Sequence, residues 1–149
     1  MNISLRPAVS EDLAFARSLY FETMRWIIER LFGWDQDREE ENFGRLFKAE
    51  EAQIIETDGR DVGWVQERTE GASIFLCSLY VMPAFQRHGI GGHVLRTLLG
   101  RARVESKAVT LAVVKINPAL SFYERYGFRI THDDKHKFYL RIDPTHDNP

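Results

Sequence analysis

The sequence predicts an α+β fold: a mixed, mostly antiparallel central sheet with helices on both faces. Three observations carry this prediction. Apolar residues in the first third recur at helical spacing, with Leu13, Ala16, Leu19, Tyr20, Met24, Ile27, Ile28 and Leu31 on one stripe. Three extended segments then follow one another through tight turns, which makes an antiparallel meander. Last comes a strand, a glycine-rich turn, a helix and a buried strand, the order of a unit with locally parallel pairing.

The elements follow in order. Ile3 to Ala8 reads as a short edge strand, because Pro7 removes one backbone donor. Ser10 reads as a helix N-cap, with Glu11 and Asp12 in the first turn, and Gly33 ends that helix. Asp37 is expected to cap a second helix through Glu40, Phe43, Leu46 and Phe47. The run Arg38-Glu39-Glu40-Glu41 is expected to be its solvated face; attraction of a cationic acceptor is the alternative. Residues 53–57 and 62–67 are strands joined by Asp58-Gly59, a strong two-residue hairpin signal. Glu70-Gly71 turns the chain into a third strand, Ser73 to Val81, which Pro83 stops.

Gln86 to Gly92 is the glycine-rich turn, and Val94, Leu95, Leu98 and Leu99 open the amphipathic helix after it. Residues 109–114 form a continuous apolar run, as in a strand buried on both faces. Asn117 and Pro118 start another helix, which Gly127 ends, and residues 128–130 and 137–142 close the chain as a hairpin. Residues 1–143 are read as one domain and 144–149 as a disordered polar tail.

Composition excludes several classes. A length of 149 residues with 44% hydrophobic content suits one domain with its own core. The net charge of -2 provides no electrostatic footprint for nucleic acid. No apolar stretch reaches the roughly 20 residues that span a bilayer, and the N-terminus lacks signal-peptide character, so no membrane partner and a cytoplasmic location are expected. The single cysteine, Cys77, cannot close an internal disulfide and reads as a small buried hydrophobe. His132-Asp133-Asp134-Lys135-His136 reads as a polar hairpin turn rather than as metal ligands; no metal is expected.

The chemistry lies in Val81-Met82-Pro83-Ala84-Phe85-Gln86-Arg87-His88-Gly89-Ile90-Gly91-Gly92. Glycines between a strand and a helix let successive N–H groups line one concavity, and the helix start adds partial positive charge. Together they suit a diphosphate. An ordinary strand-to-helix turn is the bland alternative. The Lys-Ser/Thr ending of a nucleoside-triphosphate loop is absent, as is the earlier glycine of a dinucleotide fingerprint.

Gln86-Arg87-His88-Gly89-Ile90-Gly91 resembles the Gln/Arg-x-x-Gly-x-Gly/Ala signature of the GNAT superfamily, the acyl-coenzyme-A-dependent N-acetyltransferases. Leu79-Tyr80-Val81-Met82-Pro83 is similar to that family's cofactor strand. Asn117-Pro118-Ala119 with Phe122-Tyr123-Glu124-Arg125-Tyr126-Gly127-Phe128 resembles its second signature. The order of elements agrees over nearly the whole chain.

The resemblance implies a single GNAT-like domain that transfers acetyl from acetyl-CoA directly to a primary amine of a small molecule or peptide. A non-catalytic acyl-CoA sensor and an interaction domain with a vestigial turn are the rival readings. It implies that Gln86, Arg87, His88, Gly89, Ile90, Gly91 and Gly92 hold the pyrophosphate. Leu79, Tyr80 and Val81 would meet the pantetheine arm and the oxyanion, and Asn117 would touch pantetheine or help part the strands. Tyr123 takes the place of the general acid. Where many members carry a carboxylate base, this chain has Cys77 and Ser78, so Glu67 acting through water is the candidate base. The alternative is that the enzyme binds the neutral fraction of the amine. Glu22, Trp34 and Asp35 fall in the helical region that covers the acceptor site in the family. A homodimer is the family-level expectation.

Overall fold

A computed structural model describes residues 2–145. The sheet has seven strands in the order β1-β2-β3-β4-β5-β7-β6. The strands are β1 (Ile3–Pro7), β2 (Ala52–Thr57), β3 (Arg60–Glu70), β4 (Ser73–Val81), β5 (Ala108–Val114), β6 (Arg129–Asp133) and β7 (Lys137–Ile142). Four helices join them: α1 (Leu13–Phe32), α2 (Gln36–Leu46), α3 (Ile90–Val104) and α4 (Ala119–Arg125). The mixed, mostly antiparallel sheet with helices is the fold class expected from the sequence. Of the expected tail, residues 146–149 lie outside the described residues. No described helix is long and apolar enough to cross a membrane.

The chain forms two compact units. One comprises the residues up to Gln66 together with Ser78–His93. In it β1 pairs antiparallel with β2 from Ile3↔Thr57 to Pro7↔Gln53, and Pro7 sits at the sheet edge, where its missing donor is harmless. Asp58 and Gly59 both take positive φ, 51° and 80°, which makes the tight hairpin that Asp-Gly favours. The core gathers Ala16, Leu19, Phe43, Ile54 and Trp64, with Tyr20, Phe21, Phe47 and Tyr80 packed on it. Leu13, expected on the buried stripe, is 47% exposed, because it opens α1 a full turn before the contact face begins.

Two capping expectations and one of solvation are corrected. Ser10 lies in a short 3-10 turn, Ser10–Asp12, and does not cap α1. Asp12 does the local work instead: its Oδ2 accepts the Val9 N–H at 2.8 Å. Asp35, not Asp37, caps α2, its carboxylate accepting the Arg38 N–H at 3.1 Å. The acidic run is not uniformly solvated either, since Glu39 is only 3% exposed. It lies four residues before Phe43, so helical geometry turns both inward.

Asp12 also anchors an ionic cluster. Arg6 donates to both of its oxygens at 2.9 Å and reaches Glu56 and Asp61 at 3.2 Å. The Arg6 hydrogen bond holds the Asp12 carboxyl below its ordinary 3.8, against the opposing effect of burial. A lowered carboxyl value stabilises the fold above 3.8 and loses that contribution as pH falls through it. Asp12→Asn is therefore expected to cost about 1–2 kcal/mol near neutrality, discounted because Arg6 is partly exposed. Denaturant midpoints measured from pH ~7 to ~2 should show wild type and variant converging at the acid end.

The second unit comprises Glu67–Cys77 and the residues from Val94 on. β5 pairs antiparallel with β7 from Val109↔Ile142 to Val114↔Lys137, and β6 pairs with β7. The parallel β4–β5 ladder is short: Ser73↔Ala108, Ile74↔Val109 and Phe75↔Thr110. Leu95, Leu98 and Ala102 of α3 are buried, as are Val109, Leu111, Val113, Phe128 and Leu140. Asp134 accepts the Tyr139 hydroxyl and the backbone N–H groups of His136 and Lys137, so this polar stretch is spent on the hairpin turn. Cys77, expected to be buried, is half-buried.

Candidate active site

The glycine-rich segment is tighter than the sequence suggests. The turn itself is residues 86–89, and α3 already begins at Ile90, so Gly91 and Gly92 lie in its first turn. Arg87 and Gly89 take positive φ, 66° and 80°. Left-handed residues that alternate with ordinary ones turn successive N–H groups to one side, which makes an anion-binding concavity. Arg87 is a non-glycine residue in that region, a conformation that concentrates at functional sites. His93 donates to Gly89 across the first helical turn, at 2.9 Å. By helix geometry the N–H groups of Ile90, Gly91 and Gly92 precede any intrahelical acceptor. A Cβ placed on Gly89 would meet nothing within 4 Å, so the space over the turn is open.

The approach to the turn is fixed from both sides. Pro83–Phe85 forms a 3-10 turn, and the Arg60 guanidinium lies 5.1 Å from the Phe85 ring centre. The Gln86 side chain donates to the Val81 carbonyl at 2.8 Å, tying the turn to the strand before it. Ile90 is fully buried and pins the start of α3, whereas Arg87 and His88 are exposed. These residues fit a pyrophosphate through main-chain donors, and over Gly89 no described atom stands within 4 Å of where a Cβ would be.

Leu79, Tyr80 and Val81 occupy the last turns of β4, each half-buried. The Tyr80 carbonyl comes so close to Gly63 of β3 that a Cβ there would stand 2.2 Å from its oxygen. Ser78, just before, is buried, and its hydroxyl has no hydrogen-bond partner among the described residues. The Tyr80 ring packs 5.2 Å from Trp64 and 5.8 Å, edge on, from Tyr20. Trp64 is 0% exposed, and its indole N–H is likewise unpartnered.

In the same unit, Trp34 and Asp35 build the α1–α2 connection. Trp34 donates to Gln36 at 3.0 Å and carries the Arg25 guanidinium over its ring at 4.5 Å; Asp35 caps α2. Glu22 is exposed on α1.

In the other unit, α4 starts one residue later than expected, with Pro118 rather than Asn117 at its N-cap, and the Asn117 side-chain oxygen accepts the Ala119 N–H at 2.9 Å from just outside the helix. Tyr123 follows on α4, with its ring 5.2 Å from Phe122 and 5.7 Å from Phe128. Desolvation pushes the Tyr123 phenol well above its ordinary 10.0, so it stays protonated at neutral pH. Tyr126 accepts from Arg96 at 3.2 Å. Glu67 is ion-paired with Arg101 of α3, which also faces Glu105 at 3.8 Å.

Three features escaped the sequence. Gly63 is an isolated glycine within a strand, which signals close backbone approach. Nothing in the pattern distinguishes Glu39 from its acidic neighbours except its spacing to Phe43. The unpartnered indole of Trp64 has no sequence signature at all.

The family model for an acetyltransferase (GNAT) domain matches residues 44–130, more than half of the chain. No match is found among curated protein sequences. Among solved structures, the PaiA N-acetyltransferase of Thermoplasma acidophilum in complex with coenzyme A is similar, with 18% identity and a TM-score of 0.78, covering 96% of this chain and 99% of that one. The ribosomal-protein-S18-alanine N-acetyltransferase of Escherichia coli superposes with a TM-score of 0.67 at 16% identity, over 99% and 97% of the two chains. The N-acetylglutamate synthase of Neisseria gonorrhoeae, complexed with coenzyme A and N-acetyl-glutamate, gives 0.67 at 18% identity, covering 97% of this chain and 36% of that one. With the glycine turn, the two signatures and the family match in agreement, this chain belongs to the GNAT family of acetyltransferases, whose acyl donor is acetyl-CoA.

Proposed function

We propose that this protein transfers acetyl directly to a primary amine of a small molecule or peptide, using its turn at residues 86–92 to hold the donor. The observation that carries the reading is the left-handed pair Arg87 and Gly89 opening α3, which bares main-chain donors where a diphosphate can sit. The donor supplies a thioester carbonyl. Every other requirement falls to the chain.

The β4–β5 ladder ends at Phe75, although β4 continues to Val81. That leaves the backbone of Leu79 and Val81 to extend the sheet by an added strand, the pantetheine arm. A main-chain N–H at Leu79 or Tyr80 then serves the oxyanion. Tyr123 donates the proton to the departing thiolate. Its suppressed ionisation supports that role, since an acid must be protonated to act.

The attacking amine must be neutral. Glu67, the candidate base, is engaged in an ion pair with Arg101. With Cys77 and Ser78 in the places where a carboxylate was sought, capture of the amine's own neutral fraction is the better supported route. The nitrogen then loses its proton to solvent after attack.

Titration calorimetry with coenzyme A tests the site. Gly91→Glu adds a carboxylate and a side chain where phosphate must approach, and is expected to weaken binding at least about tenfold, or about 1.4 kcal/mol. A folded Gly91→Glu protein with wild-type affinity would overturn the assignment. Amine-dependent release of free thiol from acetyl-CoA is the direct test of turnover, and its absence across a broad amine panel would favour a sensor.

A further inference from the structure

We propose that Arg96 and Tyr126 are a positioning pair for the acid: the hydrogen bond between them fixes the stack of rings that aims the Tyr123 phenol at the departing sulfur. This rests on the acetyl-transfer reading above, in which Tyr123 is the general acid, and names the residues on which that acid depends.

Little within α4 holds Tyr123 in place. The helix has seven residues, and none is fully withdrawn from solvent. Two turns of helix are not stable alone, so packing must fix them. Among the described residues no hydrogen bond engages the Tyr123 hydroxyl, so ring contacts set its direction. Phe128 supplies one wall, 5.7 Å away, and is itself buried. Phe122 supplies the other at 5.2 Å, but it is only half-buried and needs support from its far side.

Tyr126 gives that support. Its ring lies 5.2 Å from Phe122, tilted by 58°. Its backbone N–H bonds to the Tyr123 carbonyl at 3.0 Å, an oxygen that the Phe128 N–H also reaches at 3.3 Å. Tyr126 is therefore tied to the acid twice, through the main chain and through rings. Its hydroxyl accepts from Arg96 Nη1 at 3.2 Å, from a residue 30 positions earlier in the chain. Arg96 stands on α3 between Leu95 and Leu98, both buried, so its guanidinium is mounted on a firmly packed element. By this bond α3 holds the free end of α4, and the contacts run from Arg96 through Tyr126 and Phe122 to Tyr123. A neutral acceptor at the surface makes such a bond a small contributor to stability. Its effect on rate is larger, because a slight misplacement of the acid is costly.

The test is a double-mutant cycle on kcat, read as thiol release from acetyl-CoA with hydroxylamine, a nucleophile small enough to need no acceptor pocket. Tyr126→Phe keeps the ring and removes the bond. Arg96→Met removes the same bond from the other side and serves if Tyr126→Phe does not fold. Each is expected to lower kcat about tenfold and to leave the KM for acetyl-CoA unchanged. Combined with Tyr123→Phe, neither should deepen its loss of about a hundredfold, whereas independent effects would multiply to about a thousandfold. Multiplied losses overturn the proposal and mark the pair as merely structural. Wild-type kcat in both single variants overturns it too, as does a loss confined to KM. In each of these cases a slow Tyr123→Phe leaves the acid standing. Tyr123→Phe at the wild-type rate removes the acid, and this proposal with it. No thiol release by wild type overturns acetyl transfer, and both fall.

Discussion

Gly63→Ala is expected to cost the fold about 3 kcal/mol, one of the largest effects available to a single methyl group in this protein. The added Cβ would lie 2.2 Å from the Tyr80 carbonyl oxygen and 3.1 Å from Ile55 Cδ1. The first contact is with backbone, which cannot rotate away as a side-chain tip does. Relief requires β3 and β4 to part at the point where β4 carries Tyr80. Loss of stability should therefore come with weakened coenzyme A binding in whatever fraction remains folded. Denaturant unfolding measures the first and calorimetry the second. A midpoint within about 0.5 kcal/mol of wild type would mean that the close approach is not a feature of the folded protein.

Tyr123→Phe is expected to slow turnover about a hundredfold while leaving the KM for acetyl-CoA in place. Phenylalanine keeps the ring contacts with Phe122 and Phe128 and deletes only the hydroxyl. Because burial raises the phenol above 10.0, wild type should show no loss of its acid on the alkaline side until pH passes about 10. The same shift has a sign for stability. The folded state favours the protonated phenol, so this group's contribution is complete below 10.0 and declines as pH rises beyond it. Equal rates for wild type and Tyr123→Phe across the pH range would remove Tyr123 from the chemistry.

Periodicity alone was enough to outline the architecture. Asp58-Gly59 and the apolar run of β5 are signals in which neighbouring residues decide the backbone locally, and both elements form where they were expected. β4 and β7 fall on the expected residues for the same reason. Caps were harder. Ser10, Asp12, Asp35 and Asp37 are all competent side chains, and which one caps depends on where the chain leaves the preceding element. Asp12 is drawn to Val9 and Arg6, and Asp35 is set by the Gly33 turn, where the Gly33 N–H bonds to Glu29. The glycine turn shows the same division. The strand-to-helix turn itself was legible, but the helix start at Ile90 was not, because glycines weaken any local forecast of helix.

What the sequence determined by itself was the order of elements, the turn that can bare its amides to a diphosphate, and the two signatures that mark the family. These are short-range properties, fixed by backbone freedom and side-chain type within a few residues. Only the tertiary structure decided that Glu39 is buried while Glu41 is solvated, that Gly63 must lack a side chain, and that the buried Trp64 indole N–H has no partner among the described residues. Burial and close approach are set by which distant segments meet, and no local pattern along a chain encodes that meeting.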